Sequence, residues 1–231
     1  MNNMEPRTLN RVYSPDIRDK DYLIKRNLPI NKTVQYKTRY WDDNGWWGDQ
    51  LNTPQCVGYA WAHWLEDGPV QHEGIAPIVP PQTIYTEAQK VDEWTGEDYE
   101  GTSVRGGAKY LSSSKRIGSY YWAFDIKTIV NTLLTTGPLV VGTNWYSNMM
   151  KTNKIGFIQP TGRLLGGHAY VLNGVDTVAN KIRIKNSWGQ SWGQAGHAWI
   201  TIPYMEKLIR LQGEACIATE LTDAQYSAVN S

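Results

Sequence analysis

Cys56 is one of two cysteines in the chain, and its setting is the one a nucleophile needs. It follows the loop Asp49-Gln50-Leu51-Asn52-Thr53-Pro54-Gln55 and precedes a helix-compatible run from Val57 to Leu65. At a helix start the unpaired backbone N–H groups and the dipole favour a thiolate over a thiol. A thiolate nucleophile also requires a base, a group that orients the base, and donors for the developing oxyanion. The plain alternative is a small buried hydrophobe, which is what most lone cysteines are.

Four histidines are available as the base. His63 lies seven residues beyond Cys56 on the same helix, about 10 Å along its axis, which is too far. His72 falls in a polar loop and His197 opens a Gly-rich strand. His168 follows Gly166-Gly167 and begins an apolar strand; it is either satisfied by the core or part of a site. Downstream, Lys185-Asn186-Ser187-Trp188-Gly189 ends a strand with an amide and a tryptophan. Asn186 can fix the tautomer of an imidazole, and Trp188 can keep water from that bond. Equally, Asn186 can cap a strand end beside core tryptophans.

The elements that would position these residues divide by type. Residues 1–45 are polar and weakly periodic. They predict an extended arm that packs through Val12, Tyr13, Tyr22, Leu23 and Leu28, with a tight turn at Asp42-Asp43-Asn44-Gly45. Helices are predicted over 56–66, 81–90, 104–111 (capped by Thr102 or Ser103) and 124–134, the last closed by Gly137-Pro138. Strands are predicted over 139–143, 167–175, 181–186 and 197–202. Helices first and strands second argue for an α+β fold. The predicted division is an arm (1–45), a helical lobe carrying Cys56 (46–136) and a β lobe carrying His168 and Asn186 (137–231).

Composition narrows the classes. The chain has 231 residues, 41% hydrophobic and 19% charged, with a formal net charge of +1. That describes a folded globule without the basic excess that nucleic acid or an anionic membrane would select. No apolar run approaches a membrane span, and no apolar signal core opens the sequence. Two distant cysteines are read as free thiols, which suits a reducing compartment: cytoplasmic or virion-associated. Eleven Trp and fourteen Tyr against two Phe suggest aromatic surfaces with polar handles around a cleft.

Four blocks in order resemble the papain-like cysteine peptidases. They are Asp49-Gln50 with Cys56 six residues after the glutamine, Glu100-Gly101, Gly167-His168-Ala169, and Lys185-Asn186-Ser187-Trp188-Gly189 with Trp192-Gly193 beyond. Tyr13-Ser14-Pro15-Asp16-Ile17-Arg18-Asp19 and Cys56-Val57-Gly58-Tyr59-Ala60 are similar to bacterial and phage members. The resemblance implies a two-lobe papain-like fold, helical lobe against antiparallel β-barrel-like lobe, with the site between. It implies Cys56 as nucleophile, His168 as base and then acid, Asn186 as orienter, and Gln50 with the Cys56 N–H as oxyanion donors. Gly101 would pair antiparallel with a peptide substrate. Gly142, Gly166 and Gly167 would line the subsite region, with Trp188 over the His–Asn bond. A loose match at Ile217 would set Glu220 at the floor of the P2 pocket and favour Arg or Lys there.

No cofactor or metal enters this scheme, and the implied partner is a peptide or protein substrate, with a larger assembly possible. Two features depart from the family. Pro54-Gln55 replaces the usual Gly-Ser ahead of the nucleophile, which would alter the oxyanion hole or the cleft wall. The extension over residues 1–45 is shorter than the usual inhibitory pro-region, yet long enough to lie over the cleft. Two other functions compete with peptide hydrolysis: a structural or binding component, for instance of a phage particle, and an amidase or transpeptidase using the same triad on another acyl donor.

Overall fold

A computed structural model describes residues 7–28, 36–41, 45–70, 77–221 and 225. His72 and the first three residues of the predicted turn, 42–44, lie outside them. In chain order the elements are α1 (Ile24–Asn27), β1 (Thr38–Tyr40), α2 (Cys56–Glu66), α3 (Pro81–Val91), α4 (Val104–Ser113), β2 (Tyr120–Ala123), α5 (Ile126–Thr135), β3 (Leu139–Tyr146), β4 (Leu164–Asp176), β5 (Lys181–Lys185), β6 (His197–Thr201), α6 (Ile202–Arg210) and β7 (Glu214–Ala218). All strand pairs are antiparallel, in the order β2-β7-β3-β4-β5-β6, and β1 pairs with β4. This is the α+β arrangement of a helical layer against an antiparallel sheet.

The helix starts are legible in chemistry. Ser103 accepts the Gly106 N–H at 2.9 Å and caps α4, and Asp125 accepts the Thr128 N–H at 2.8 Å and caps α5. Pro81 opens α3, where its missing N–H costs nothing. The cap on α5 falls two residues into the predicted span, so Phe124 stays outside the helix. Three strands and two helices escape the sequence reading, the first helix being α1, a single turn inside the predicted extended arm. β1 and β2 are short. β7 is buried on both faces and shows no alternation. α6 begins where the sixth strand was predicted to end, with Pro203 in its first turn and Met205, Leu208 and Ile209 on its inner face.

α2 is the hub. Ten of its eleven residues are buried, as expected for a helix apolar on most of its surface. Trp61 Nε1 donates to the Val104 carbonyl at 3.0 Å, and Trp64 Nε1 to the Pro138 carbonyl at 2.9 Å, tying α2 to α4 and to the entry of β3. Truncating either tryptophan would cost about 3–5 kcal/mol, against a total stability of about 5–15 kcal/mol. The far end of α2 is held by an ion pair between Asp67 and Lys185, both fully buried. Asn173 donates to the second Asp67 oxygen at 2.9 Å, and the Lys185 ammonium lies 4.6 Å from the Trp47 ring centre. The helix that begins at Cys56 therefore ends on the residue before Asn186, so its axis is fixed relative to β4 and β5.

Candidate active site

Cys56 is the first residue of α2 and is fully buried. The backbone N–H groups of Val57, Ala169 and Asn10 point at its sulfur. His168 sits on β4, opposite Thr143 of β3. Its neighbour Ala169 thus turns a backbone N–H toward the sulfur from β4.

The imidazole orientation follows from its partners. Asn186 Oδ1 accepts the Ser187 backbone N–H at 2.8 Å, so the oxygen of this amide faces His168. His168 Nε2 lies 2.8 Å from that oxygen and must therefore carry the proton. Nδ1 is left with its lone pair and has no hydrogen-bond partner among the described residues. Trp188 tilts over the ring at 5.1 Å and 34°, and Trp145 meets it edge-on at 4.8 Å and 71°. All three rings are fully buried. Burial pushes the imidazole down to about 4, with the Asn186 bond acting weakly the other way. Burial also pushes the Cys56 thiol up, against the pull of the three N–H groups. Burial thus favours the uncharged form of both groups in this closed arrangement.

Gln50 is locked to the same loop. Its N–H donates to the Ser187 carbonyl at 2.8 Å, and the Ser187 hydroxyl donates to its Oε1 at 2.6 Å. That bond turns Nε2 the other way, where it donates to the carbonyls of Thr53 at 2.9 Å and Thr8 at 3.1 Å. Asp49 and Trp188 pair as an isolated antiparallel bridge. The glutamine block and the asparagine block are thus one structure. Gln55 turns outward and bonds Gln82 of α3, so its bulk is carried on the α3 side.

The cleft is filled by the chain's own arm. The Arg11 N–H donates to the Gly167 carbonyl at 2.9 Å, and the Val12 N–H to the Thr102 carbonyl at 3.0 Å. The pairings Asn10–Gly167 and Arg11–Thr102 are both parallel. Side chains reinforce the seat. Arg7 pairs with Asp49, Thr8 donates to the Asn52 carbonyl at 2.9 Å, and Asn10 donates to Glu100 at 2.9 Å. Asp19 pairs with Arg105 of α4 where the arm leaves the cleft. Gly101 has φ +99° and could carry no side chain here, since a Cβ would strike the Asn10 carbonyl. Gly166 and Gly167 are crowded in the same way by Leu9 and Arg11.

Arg11 enters a buried pocket whose acid is Glu214. Its Nε and Nη2 donate to Glu214 Oε1 at 3.1 and 2.8 Å, and Nη2 also donates to the Gln212 carbonyl at 3.0 Å. The two side chains are 1% and 2% exposed. Gly142 forms the wall, where any Cβ would strike Arg11 Nε. Glu220, expected at this floor, is elsewhere: it accepts the Val70 N–H. The reason is register. Glu214 pairs with Gly142 and Cys216 with Val140, so β7 runs away from the pocket. Six residues further on, the chain is about 20 Å along the strand direction.

The site therefore gathers Cys56, His168, Asn186, Gln50 and Trp188, and sets Gly101, Gly142, Gly166 and Gly167 against the arm. Glu214, Arg11 and Trp145 were not found from sequence. An isolated acid opening an apolar run was the signal for Glu214; nothing local marked the other two. His63 is no rival base, since its Nε2 accepts the Gly48 N–H at 3.0 Å deep in the core. Among the described residues no cluster of three His, Cys, Asp or Glu could hold a metal ion, and no helix is long and apolar enough to cross a membrane.

A thiol, an amide-oriented imidazole and a glutamine amide, gathered where helices meet an antiparallel sheet, define the class of papain-like proteins. Residues 57–218 match the papain family cysteine protease, and the chain belongs to that family. Among solved structures it is similar to xylellain, a cysteine protease from Xylella fastidiosa, with a TM-score of 0.74 and 19% identity over 93% of this chain and 97% of that one. It is also similar to the bromelain protease of Ananas comosus, with a TM-score of 0.58 and 15% identity over 80% and 100%. Curated relatives include a cathepsin B-like cysteine proteinase 6 of Caenorhabditis elegans, 25% identical over 59% of this chain and 41% of its own length. A cathepsin B-like CP3 of Giardia intestinalis is 34% identical over 33% of this chain and 26% of its own. The chain thus spans well under half the length of these curated relatives.

Proposed function

We propose that this chain is a cysteine peptidase that hydrolyses peptide bonds and is held latent by its own N-terminal arm. The observation that carries the reading is the occupied cleft: an extended peptide backbone lies across Cys56, hydrogen-bonded at Gly167 and Thr102. A groove that seats one peptide beside a thiol, an imidazole and an amide donor is built for another.

In the open state Nδ1 of His168 takes the thiol proton, and the Cys56 sulfur attacks the substrate carbonyl carbon. The oxyanion accepts hydrogen bonds from Gln50 Nε2 and the Cys56 N–H, which helical bonding leaves free. His168 returns the proton to the amine as the C–N bond breaks, leaving a thioester. Water, losing a proton to His168, then attacks the thioester and restores the thiol. Asn186 holds the ring through both steps, and Trp188 keeps water from their bond. In the closed state Thr8 takes the Gln50 donor, and burial keeps thiol and imidazole uncharged.

The arm sequence and the start of α2 support a bacterial-type member, as does the likeness to a Xylella structure. Two free, buried cysteines support a reducing compartment. A purely structural role is disfavoured by the buried His168–Asn186 side-chain pair, which leaves the imidazole Nδ1 without a partner among the described residues. A thiol-directed epoxide is expected to label Cys56 in the full chain and not in Cys56→Ala, and a peptide-library digest to show cleavage. Absence of labelling under conditions that release the arm would sink the proposal; labelling without cleavage of any peptide would point to another acyl donor.

A further inference from the structure

The arm does more than cover the thiol. Of the arm side chains beside Cys56, Arg11 is driven into a closed pocket and matched there by a buried opposite charge. The pocket is specific in three ways. Its acid, Glu214, is 2% exposed and comes from the first residue of β7. A backbone acceptor, the Gln212 carbonyl, takes a further guanidinium proton at 3.0 Å, and Gln212 itself stands at φ +64°. The wall is Gly142, with Val104 Cγ2 3.0 Å from where a Cβ would be. A carboxylate, a fixed carbonyl and a wall without a side chain make a slot for a long cationic side chain. An apolar occupant would leave Glu214 buried and unpaired.

We infer that Glu214 is a specificity-determining residue, and that the pocket holding Arg11 selects substrates with arginine, and less well lysine, at the residue it receives. The inference rests on the peptidase reading and goes beyond it by naming the substrate class. It moves the charged recognition from Glu220 to a residue on the other side of Cys216. Arginine exceeds lysine because the slot offers acceptors to two separate nitrogens, Nε and Nη2, and an ammonium supplies one centre. The arm is then a built-in measure of what the pocket prefers.

The test uses the full chain and a set of fluorogenic peptides that differ only at the second residue before the cleaved bond: Arg, Lys, Leu or Gln. The arm competes with all of them alike, so ratios of kcat/KM cancel its effect. Arg is expected to exceed Leu by at least tenfold, and Lys to fall between. Glu214→Gln, nearly isosteric, should bring the Arg to Leu ratio to about one or below. Gly142→Ala, whose Cβ meets Val104 Cγ2 and the space taken by the guanidinium, should reduce cleavage of the Arg peptide at least tenfold more than that of the Leu peptide. An Arg to Leu ratio that stays at the wild-type value in both variants would overturn the assignment. If no peptide is cleaved and Cys56 resists the epoxide, the peptidase reading has failed and the pocket is judged separately. The same peptides are then titrated by fluorescence anisotropy onto the Arg11→Ala chain. Tenfold tighter binding of the Arg peptide sustains the subsite, and equal binding of Arg and Leu ends it.

Discussion

Replacing Arg11 by alanine should open the cleft, and the size of the effect can be worked from the contacts. The Arg11 side chain makes three hydrogen bonds, two to a carboxylate oxygen and one to a carbonyl, and is 1% exposed. In the closed variant Glu214 would remain buried without its cation. Breaking a buried pair in this way costs about 3–5 kcal/mol. In the open state the pocket faces water in both proteins, so nearly the whole cost falls on closure. Burial already pushes the Glu214 carboxyl up, and the guanidinium opposes that rise. Its loss therefore lets the acid take a proton and recover part of the penalty. The lower figure, about 3 kcal/mol, is the one to use, and it shifts the closed-to-open ratio by about 100-fold. The assay is the second-order rate of epoxide labelling of Cys56 at fixed pH and probe concentration. Wild type should label slowly and Arg11→Ala up to about 100-fold faster, limited by complete opening. Arg11→Lys should lie between, and Cys56→Ala should show no labelling. Equal rates for wild type and Arg11→Ala would refute the reasoning, because the pair could then hold nothing shut.

Two further outcomes follow from the site. The His168 imidazole is held at about 4 in the closed fold, against an ordinary 6.5. The neutral ring is favoured, so its contribution is complete above pH 6.5 and lost as the pH falls through 6.5 towards 4. That gap corresponds to about 3 kcal/mol. Glu214, pushed up by burial, works in the opposite sense, so unfolding curves at pH 7 and pH 4 should be compared between wild type and His168→Gln. Wild type should lose about 3 kcal/mol more than the variant, and equal losses would count against a buried neutral ring. If Gln50 is the oxyanion donor proposed above, Gln50→Ala should lower kcat by about 10²–10³-fold with little change in KM; a change confined to KM would place Gln50 in substrate binding alone.

What the sequence made legible was local. Cys56 at a helix start, the four helices and the main strands follow from caps, Gly-Pro stops and periodicity over a few residues. His168 and Asn186 were recognisable because each sits in a short block whose neighbours have a job there. Gly167 lets backbone approach, and Ser187 fixes the Asn186 amide. What escaped was set by distant partners. Arg11 and Glu214 are 203 residues apart, and neither carries a local mark of the other. The arm over residues 7–13 has no periodicity because its hydrogen bonds go to Gly167 and Thr102. The place of Glu214 has the same origin: only the pairing of β7 with β3 sets it, and not Glu220, against Gly142. β7 itself is buried throughout, so the alternation that reveals a half-exposed strand is missing.

The direction of the arm bears on how the proposed latency behaves over time. The arm pairs parallel with Gly167 and Thr102, whereas the resemblance implies a substrate that pairs antiparallel at Gly101. On the proposed reading its carbonyls are presented in reverse order to the thiol, which disfavours turnover of the peptide that fills the site. Being tethered, it acts at an effective concentration of about millimolar, which dilution does not change. A free peptide present at micromolar levels must then compete with an inhibitor about a thousandfold more concentrated. Onset of activity is governed by whatever weakens the arm's grip, and resealing is as available to the molecule as opening.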